Sequence, residues 1–268
     1  MPNITCKIVG GMSNQLFIIA AMINISKKYP NYTPIIYTSM VDEHIHHPDK
    51  LYYIKNIFDI TFEINDKDTP LGYHEISEDT INTYPYDTTD RNIILVGYFQ
   101  GMSYLPSFSV MEELFPFPIV KKVWSDNIEP VGIHMRRGDY LGASYFHLVQ
   151  RNEIYWKNAI LYMKKLLHNK DNVKFIVFSD DINWCKTYCK SIPIPYQDFI
   201  FIEEGTDIYQ FSLMTQCDYF ILSNSSFSWL GSFYNPNSKY LICPYPWINI
   251  ENRLNSEIYK DRPFIILT

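Results

Sequence analysis

The stretch "VGIHMRRGDYLG", residues 131–142, places two adjacent arginines directly after an apolar run. A short apolar run is typical of a buried β-strand, and ligands of open α/β sheets bind beyond the carboxyl ends of the strands. A guanidinium group donates paired hydrogen bonds to phosphate oxygens and stays charged at any working pH. We therefore predict that Arg136 and Arg137 hold a diphosphate. The alternative is a structural ion pair with Asp139 or Asp180.

The same stretch contains the tripeptide "RGD", residues 137–139, which adhesion receptors recognise. An adhesion loop must protrude into the extracellular space, whereas this tripeptide follows a predicted buried strand. The sequence therefore disfavours an adhesion protein. We interpret Asp139 as a residue that orients an arginine, or else as a carboxylate that caps a turn.

Outward from this stretch, short apolar runs alternate with longer amphipathic segments, which is typical of parallel sheets covered by helices. The sequence thus predicts an α/β fold with mostly parallel sheets. The predicted strands are 5–9, 35–38, 93–98, 131–134, 174–178, 199–202, 219–222 and 239–243. The predicted helices are 14–28, 153–167, 183–190, 207–217 and 226–234.

Two segments interrupt this alternation. Residues 41–92 are rich in Asp, Thr, Asn and Pro and show no clear period, so we expect loops with small helices there. Prolines and polar residues also fill "FPFPIVKKVWSDNIEP", residues 115–130. We expect the domain boundary in this second segment, with an N-terminal domain over 1–125 and a C-terminal domain over 126–268.

The composition of the chain disfavours several classes of function. The net charge of −6 and the pI of 5.6 disfavour a nucleic-acid partner, so an anionic ligand must be held by a few local cations. The five cysteines are scattered without a C-x-x-C pair, which predicts reduced, buried thiols. The start of the chain shows neither a secretion signal nor an apolar run long enough to span a bilayer. We expect a cytoplasmic protein with no integral membrane segment.

A second candidate stretch is "ILSNSSFSWLGSF", residues 221–233, in which a strand leads through small polar residues into a helix. Backbone N–H groups at a helix start, together with hydroxyls, form a site for phosphate. The alternative is that Ser225 or Ser226 only caps the helix.

The third stretch, "GGMSNQLF" over residues 10–17, also joins a strand to a helix through glycines. Glycines permit close approach of a ligand to the backbone, and Asn14 and Gln15 could reach it from the helix start. The chain lacks a complete G-x-G-x-x-G, a G-x-x-x-x-G-K and a G-x-S-x-G, so dinucleotide oxidoreductases, P-loop nucleotide triphosphatases and serine hydrolases lose their main support.

The sequence gives little support for a metal site. Asp180 and Asp181 end a predicted strand, where neighbouring side chains point to opposite faces, so we expect one of them to cap a helix. The triplet Asp66 to Asp68 lies in a polar loop without a clear strand before it. The histidines of "EHIHH" (His44, His46 and His47) have a spacing that suits no standard helical site.

Several segments together resemble one family, glycosyltransferase family 11, the α-1,2-fucosyltransferases that use GDP-fucose. The matching segments occur in the family's order over nearly the whole chain. They are "GGMSNQLF" (10–17), "GYFQ" (97–100), "HMRRGDY" (134–140), "FSDDINWC" (178–185), "LMTQCDYFILSNSSFSW" (213–229) and "CPYPW" (243–247).

The resemblance implies two facing Rossmann-like domains of the GT-B type, with the donor nucleotide held mainly by the C-terminal one. It also implies inverting transfer without a metal or cofactor, from a sugar nucleotide to a glycan acceptor. By similarity, Arg136 contacts the β-phosphate, His134 lies near the nucleotide, Ser225 and Ser226 bind phosphate oxygens, and Asn14 lies near the leaving oxygen. Gly11, Arg137, Asp207, Asn224 and Phe227 complete the expected donor-binding set.

Two positions depart from the family pattern. Ser13 stands where the family has glycine, and Gln210 stands where a carboxylate opens the helix, with Asp207 one turn earlier on the same face. Donor identity is therefore left open: another sugar nucleotide, or a catalytically silent glycan-binding module, are the alternatives. Asp139 and His147 are nearby candidates for a base, and neither is assigned that role.

Overall fold

The computed structural model describes residues 1–42, 47–57, 63–67, 72–142, 153–248, 254–260 and 264–267. The chain packs as two compact units, Met1–Phe117 and Pro118–Thr268. The division falls in the segment that joins the last helix of the first unit to the first strand of the second.

The first unit is built around a parallel sheet with strand order β3-β2-β1-β5-β4. Its strands are β1 (Asn3–Cys6), β2 (Thr33–Tyr37), β3 (Glu63–Asn65), β4 (His74–Ser77) and β5 (Ile93–Val96). Its helices are α1 (Met12–Lys28), α2 (Tyr52–Ile57) and α3 (Phe108–Leu114).

Helix α1 is the main covering element of this sheet. It is apolar on nearly all sides, and residues from Met12 to Ile25 are buried with few exceptions. A helix that is apolar all round is stable only in a core. Lys27 and Lys28 end the helix, where positive charge complements the helix dipole. The burial of α1 fixes the glycine-rich segment before it against the carboxyl end of β1.

The second unit is also a parallel sheet, with strand order β11-β10-β9-β6-β7-β8. Its strands are β6 (Glu129–Met135), β7 (Val173–Ser179), β8 (Phe199–Phe201), β9 (Tyr219–Ile221), β10 (Tyr240–Pro244) and β11 (Phe264–Leu267). Its helices are α4 (Glu153–Leu166), α5 (Ile182–Cys189), α6 (Asp207–Met214), α7 (Ser226–Phe233) and α8 (Leu254–Glu257).

This sheet is buried on both faces. Phe175 and Val177 of β7 contribute to one apolar cluster, and Ile176 and Phe178 contribute to the other. Such two-sided burial explains why β7 reads as a continuous apolar run rather than an alternating one. Gly132 of β6 allows close approach of Cys217, since a Cβ at this position would lie 3.1 Å from its sulfur atom.

The structure confirms the predicted α/β class with parallel sheets, and each predicted strand and helix corresponds to an observed element with shifted ends. The expectation for residues 41–92 is wrong in part, because β3 and β4 add two strands to the first sheet there. β3 is three residues long, and β4 is an edge strand in which His74 and Glu75 are exposed, so neither shows a periodic apolar pattern. Helices α3 and α8 and strand β11 were also not predicted.

Candidate functional site

Arg136 lies one position beyond the last pair of neighbouring strands β6 and β7, where Met135 is opposite Ser179. Its Nε and Nη2 donate to Oδ1 of Asp139, at 3.0 and 2.7 Å, and its Nη1 lies 3.1 Å from Oδ2 of Asp180. The ion pairs named as the structural alternative are therefore present. Asp139 and Asp180 both pair with this arginine, and the role of Asp139 in orienting it stays a prediction.

Arg137 is bound to helix α5. Its Nε lies 3.3 Å from Oδ2 of Asp181, and its guanidinium carbon lies 3.6 Å from the ring centre of Trp184. Asp181 also accepts a hydrogen bond from the backbone N–H of Trp184 at 3.2 Å, so the predicted capping of this helix by an aspartate is confirmed. The side chain of Arg137 is only 17% exposed.

Asp180 connects the two arginines. Its Oδ1 accepts the backbone N–H of Arg137 at 2.8 Å while its Oδ2 pairs with Arg136. A Cβ at Gly138 would lie 2.5 Å from Oδ2, so only glycine leaves room for this carboxylate. Three carboxylates thus surround two guanidinium groups, and the cluster carries one net negative charge. The arginines are fixed in position rather than forming an open cationic patch.

His134 is a buried titratable group at this end of the sheet, with 6% exposure. Burial and the positive charge of Arg136 lower its pKa to about 3, so the imidazole is neutral at pH 7. Its Nδ1 lies 2.7 Å from the hydroxyl of Ser223, and its ring lies 5.2 Å from that of Phe227. A neutral imidazole can offer a hydrogen bond to a ligand but no charge.

The polar segment after β9 lies beside β6. Asn224 is buried; its Nδ2 donates to the carbonyl of Trp247 at 2.7 Å, and its own carbonyl accepts the hydroxyl of Tyr140 at 3.1 Å. Ser225 occupies the N-cap position of α7, but its side chain makes no capping hydrogen bond, so the capping expectation is wrong for this hydroxyl. Ser226 is the first residue of the helix.

Asp207 begins α6. Its Oδ1 accepts the backbone N–H of Ile208 at 2.9 Å, and the cap of this helix is Thr206, whose hydroxyl accepts from the N–H of Tyr209. α6 packs against α7 through an edge-to-face contact of Phe211 with Phe227, with ring centres 5.4 Å apart. The structure therefore places Asp207 at the start of the helix that neighbours the serine segment.

The first unit holds the remaining predicted residues, Gly11 and Asn14. Gly11 is the N-cap of α1, and Gly10 before it has φ +77°. A Cβ at Gly10 would lie 2.6 Å from Nδ2 of Asn14, so glycine is required there on both counts. The Oδ1 of Asn14 accepts a hydrogen bond from Nε2 of Gln100 at 2.9 Å. Gln100 belongs to the quoted "GYFQ" segment, but no role was predicted for it from the sequence.

Ser13 departs from the family pattern, and its hydroxyl is buried without a hydrogen-bond partner among the described residues. Gln15 is buried too, and its Nε2 donates to the carbonyl of Gly10 at 3.0 Å. Gln15 therefore stabilises the glycine turn instead of reaching outward. Ser223, Tyr140 and Gln100 are further polar groups at these strand ends for which no role was predicted from the sequence.

The other candidates for metal binding are not brought together. Within the described ranges no three His, Cys, Asp or Glu side chains are grouped as a metal site. His47 stacks on Tyr52 with ring centres 3.7 Å apart, and Asp66 is exposed after β3. His44, His46, Asp68 and His147 lie outside the described residues.

All five cysteines are buried and free, as predicted. Burial raises the pKa of Cys185 to about 11 and that of Cys189 to about 12, so these thiols are protonated at neutral pH. As for membrane spans, none of the helices in the described part of the chain combines the length and apolar character that crossing a bilayer requires.

Two α/β units with parallel sheets define the GT-B class of glycosyltransferase folds. The crystal structure of fucosyltransferase NodZ from Bradyrhizobium matches 88% of this chain and 93% of its own, with a TM-score of 0.51 at 10% identity, which shows the shared fold. The model of glycosyl transferase family 11 matches residues 72–263. The chain belongs to glycosyl transferase family 11.

Parts of the chain are also similar to two curated relatives. The chain is 40% identical to an α-1,2-colitosyltransferase from Escherichia coli over 130 residues, which are 47% of this chain and 43% of that protein. It is 31% identical to galactoside α-(1,2)-fucosyltransferase 1 from Rattus norvegicus over 114 residues, 38% of this chain and 27% of that protein. The matched part spans less than half the length of either relative.

Proposed function

We propose that this protein is an inverting, metal-independent glycosyltransferase that moves L-fucose from GDP-fucose to the 2-hydroxyl of a terminal galactoside. Arg136 carries the proposal, because a permanently charged fork lies at the carboxyl end of β6 beside the serine segment of the neighbouring strand. The names of both relatives support an α-1,2 linkage. Residues 126–268 bind the donor, and 1–125 form the acceptor side.

The role of Arg136 follows from the charge that develops on the donor. Breaking the bond from the sugar to the diphosphate leaves negative charge on the leaving oxygen, and fixed donors aimed at that charge lower the barrier. Asp139 is 55% exposed, and an exposed ion pair contributes only about 0–1 kcal/mol. A diphosphate can therefore take the place of Asp139 on Nε and Nη2, while Asp180 continues to hold Nη1.

The neutral groups around Arg136 complete the donor site. Ser225, Ser226 and the first N–H groups of α7 bind phosphate oxygens, because a helix N-terminus favours negative charge. His134 offers a neutral hydrogen bond, and Arg137 keeps the arginine loop attached to α5. Asn224 and Phe227 line the same strand end, and Asp207 contacts the guanine base. Gly11 and Asn14 are the residues of the first unit that take part in transfer.

A second donor sugar is favoured by one observation, the 40% identity to a protein named as a colitosyltransferase. Colitose lacks one hydroxyl of fucose. A site that hydrogen-bonds this hydroxyl discriminates strongly against the sugar without it, because its own polar group is then left unpaired. Turnover of GDP-fucose against nucleotide-linked colitose therefore separates the two donors.

A thermal-shift series tests the donor class. Because a ligand that binds only the folded state raises Tm, we expect GDP and GDP-fucose to raise it and UDP sugars to leave it unchanged. Turnover should then follow with a galactoside acceptor, should survive a chelator such as EDTA, and should give an α-1,2 product by NMR. No response to any nucleotide would favour a silent glycan-binding module instead.

A further inference from the structure

The loop after β5 is held in an unusual backbone conformation. Gly97 and Gly101 both have φ +150°, and Phe99 between them has φ +50°. The ring of Phe99 is fully buried. A bulky residue in the left-handed region persists only where its surroundings determine the conformation, and such residues cluster at functional sites.

Glu78 holds the loop in this conformation. It lies one position beyond the last pair of strands β4 and β5, where Ser77 is opposite Val96. A single oxygen, Oε1, accepts the backbone N–H groups of Tyr98 and Phe99, each at 2.7 Å. A Cβ at Gly97 would lie 3.0 Å from this carboxylate oxygen, so the glycine makes room for it.

The loop in turn places Gln100. Its side-chain Nε2 donates to Oδ1 of Asn14 at 2.9 Å, which fixes the orientation of the Asn14 amide. The amide nitrogen of Asn14 then lies against Gly10, where no side chain intervenes. One chain of contacts thus runs from the Glu78 carboxylate, through the loop backbone and Gln100, to the amide of Asn14.

We propose that Glu78 is a positioning residue for glycosyl transfer, which holds the 97–101 loop so that Gln100 orients the N–H donors of Asn14. This inference rests on the proposed function, because Asn14 has a role in transfer only if the protein transfers a sugar. Glu78 itself contacts neither donor nor acceptor in this role. Its effect on the reaction passes entirely through Asn14.

A double-mutant cycle measures this dependence. We expect Glu78→Ala to lower kcat about 100-fold, since a small displacement of a reacting group has effects of this size. Asn14→Ala should lower it by a similar factor, and the double variant should be no slower than Asn14→Ala alone. Glu78→Gln, which keeps an oxygen acceptor, should recover most of kcat.

Two controls keep the experiment decisive. Glu75→Ala removes an exposed carboxylate from the same strand, β4, and should leave kcat unchanged. Hydrogen exchange of a peptide that covers 97–101 should be faster in Glu78→Ala than in wild type and in Glu78→Gln. If Glu78→Ala fails to fold, Gln100→Ala replaces it in the cycle, because that change breaks the same chain one step later.

A double variant whose fold-loss of kcat is the product of the two single losses would overturn the proposal. A loop that exchanges faster with no loss of kcat would overturn it too. The cycle can be run with whichever nucleotide sugar the wild type uses. If the enzyme uses nucleotide-linked colitose and not GDP-fucose, the donor assignment is wrong. The cycle run with that donor then still tests the role of Glu78.

Discussion

The two units hold their strand-end loops in the same way but present different chemistry. In the first unit, Glu78 accepts two backbone N–H groups of the loop after β5, next to Gly97. In the second, Asp180 accepts a backbone N–H of the loop after β6, next to Gly138. Each carboxylate lies one position past the last pair of neighbouring parallel strands.

The two loops differ in the side chain that each one orients. The first loop orients an uncharged amide, Asn14, through Gln100. The second orients the charged guanidinium of Arg136, and a buried histidine lies two residues before it. A common anchoring arrangement thus holds a neutral amide in one unit and a charged guanidinium group in the other. The largest effects on catalysis and on pH dependence should therefore arise in the second unit.

The largest effect is expected for Arg136→Lys. An ammonium group cannot reproduce the bidentate fork between Asp139 and Asp180, and loss of one such donor to developing charge costs about 2.7–4 kcal/mol, roughly a hundred- to thousand-fold in kcat. Turnover should fall by this factor while the circular dichroism spectrum and the Tm stay close to wild type.

Arg91→Lys is the matched control for this change, because Arg91 is an exposed arginine of the first unit. It should keep wild-type turnover. An Arg136→Lys enzyme with wild-type kcat would remove the charge-stabilising role from the second unit, and with it the contrast between the two loops.

An intermediate effect is expected for pH. The pKa of His134 is lowered to about 3, below the value near 6.5 of an unfolded histidine, so the unfolded state binds more protons in this interval. Stability of the second unit should therefore fall as pH drops below 6.5, by about 1.4 kcal/mol per pH unit until the pH nears 3. This amounts to about 2 kcal/mol between pH 7 and 5.

Tryptophan fluorescence during urea unfolding reports this effect selectively, because all five tryptophans lie in the second unit. In His134→Gln, the free energy of unfolding should depend less steeply on pH, by a slope that corresponds to the uptake of close to one proton. The urea midpoint should therefore change less with pH than in wild type. An equal slope in wild type and variant would show that the histidine is protonated without penalty, contrary to its burial.

The smallest effect separates the two carboxylates of Arg136. Asp180→Asn weakens a contact that also fixes the arginine loop, so we expect about a tenfold loss of kcat, in line with a hydrogen bond to a charged group. Asp139→Asn should change kcat less than about threefold and should leave GDP affinity equal or tighter, because an exposed pair contributes little. Steady-state kinetics and calorimetric titration with GDP measure both, and weaker GDP binding by Asp139→Asn would contradict its displacement by phosphate.

A good part of this picture could be predicted from local sequence. The apolar runs of β6, β7 and β9 predicted a parallel sheet covered by helices, which the structure confirms. That the residues after these strands bind a ligand stays a prediction. The strands β3 and β4 gave no such signal, since short or half-exposed strands carry little apolar pattern of their own. β11 does contain an apolar run, "FIIL", which the prediction overlooked. The positions of these strands depend on pairing with distant segments.

The sequence by itself determined the fold class, the family and the strand ends at which polar residues collect, because these depend on periodicity and on short motifs. Only the tertiary structure decided which carboxylates hold the loops at these strand ends. Glu78 and Gly97 are 19 positions apart, and Asp180 and Arg137 are 43 apart, yet parallel pairing makes each pair neighbours. Strand register is set by packing across the whole sheet, so no local pattern states which carboxylate meets which loop.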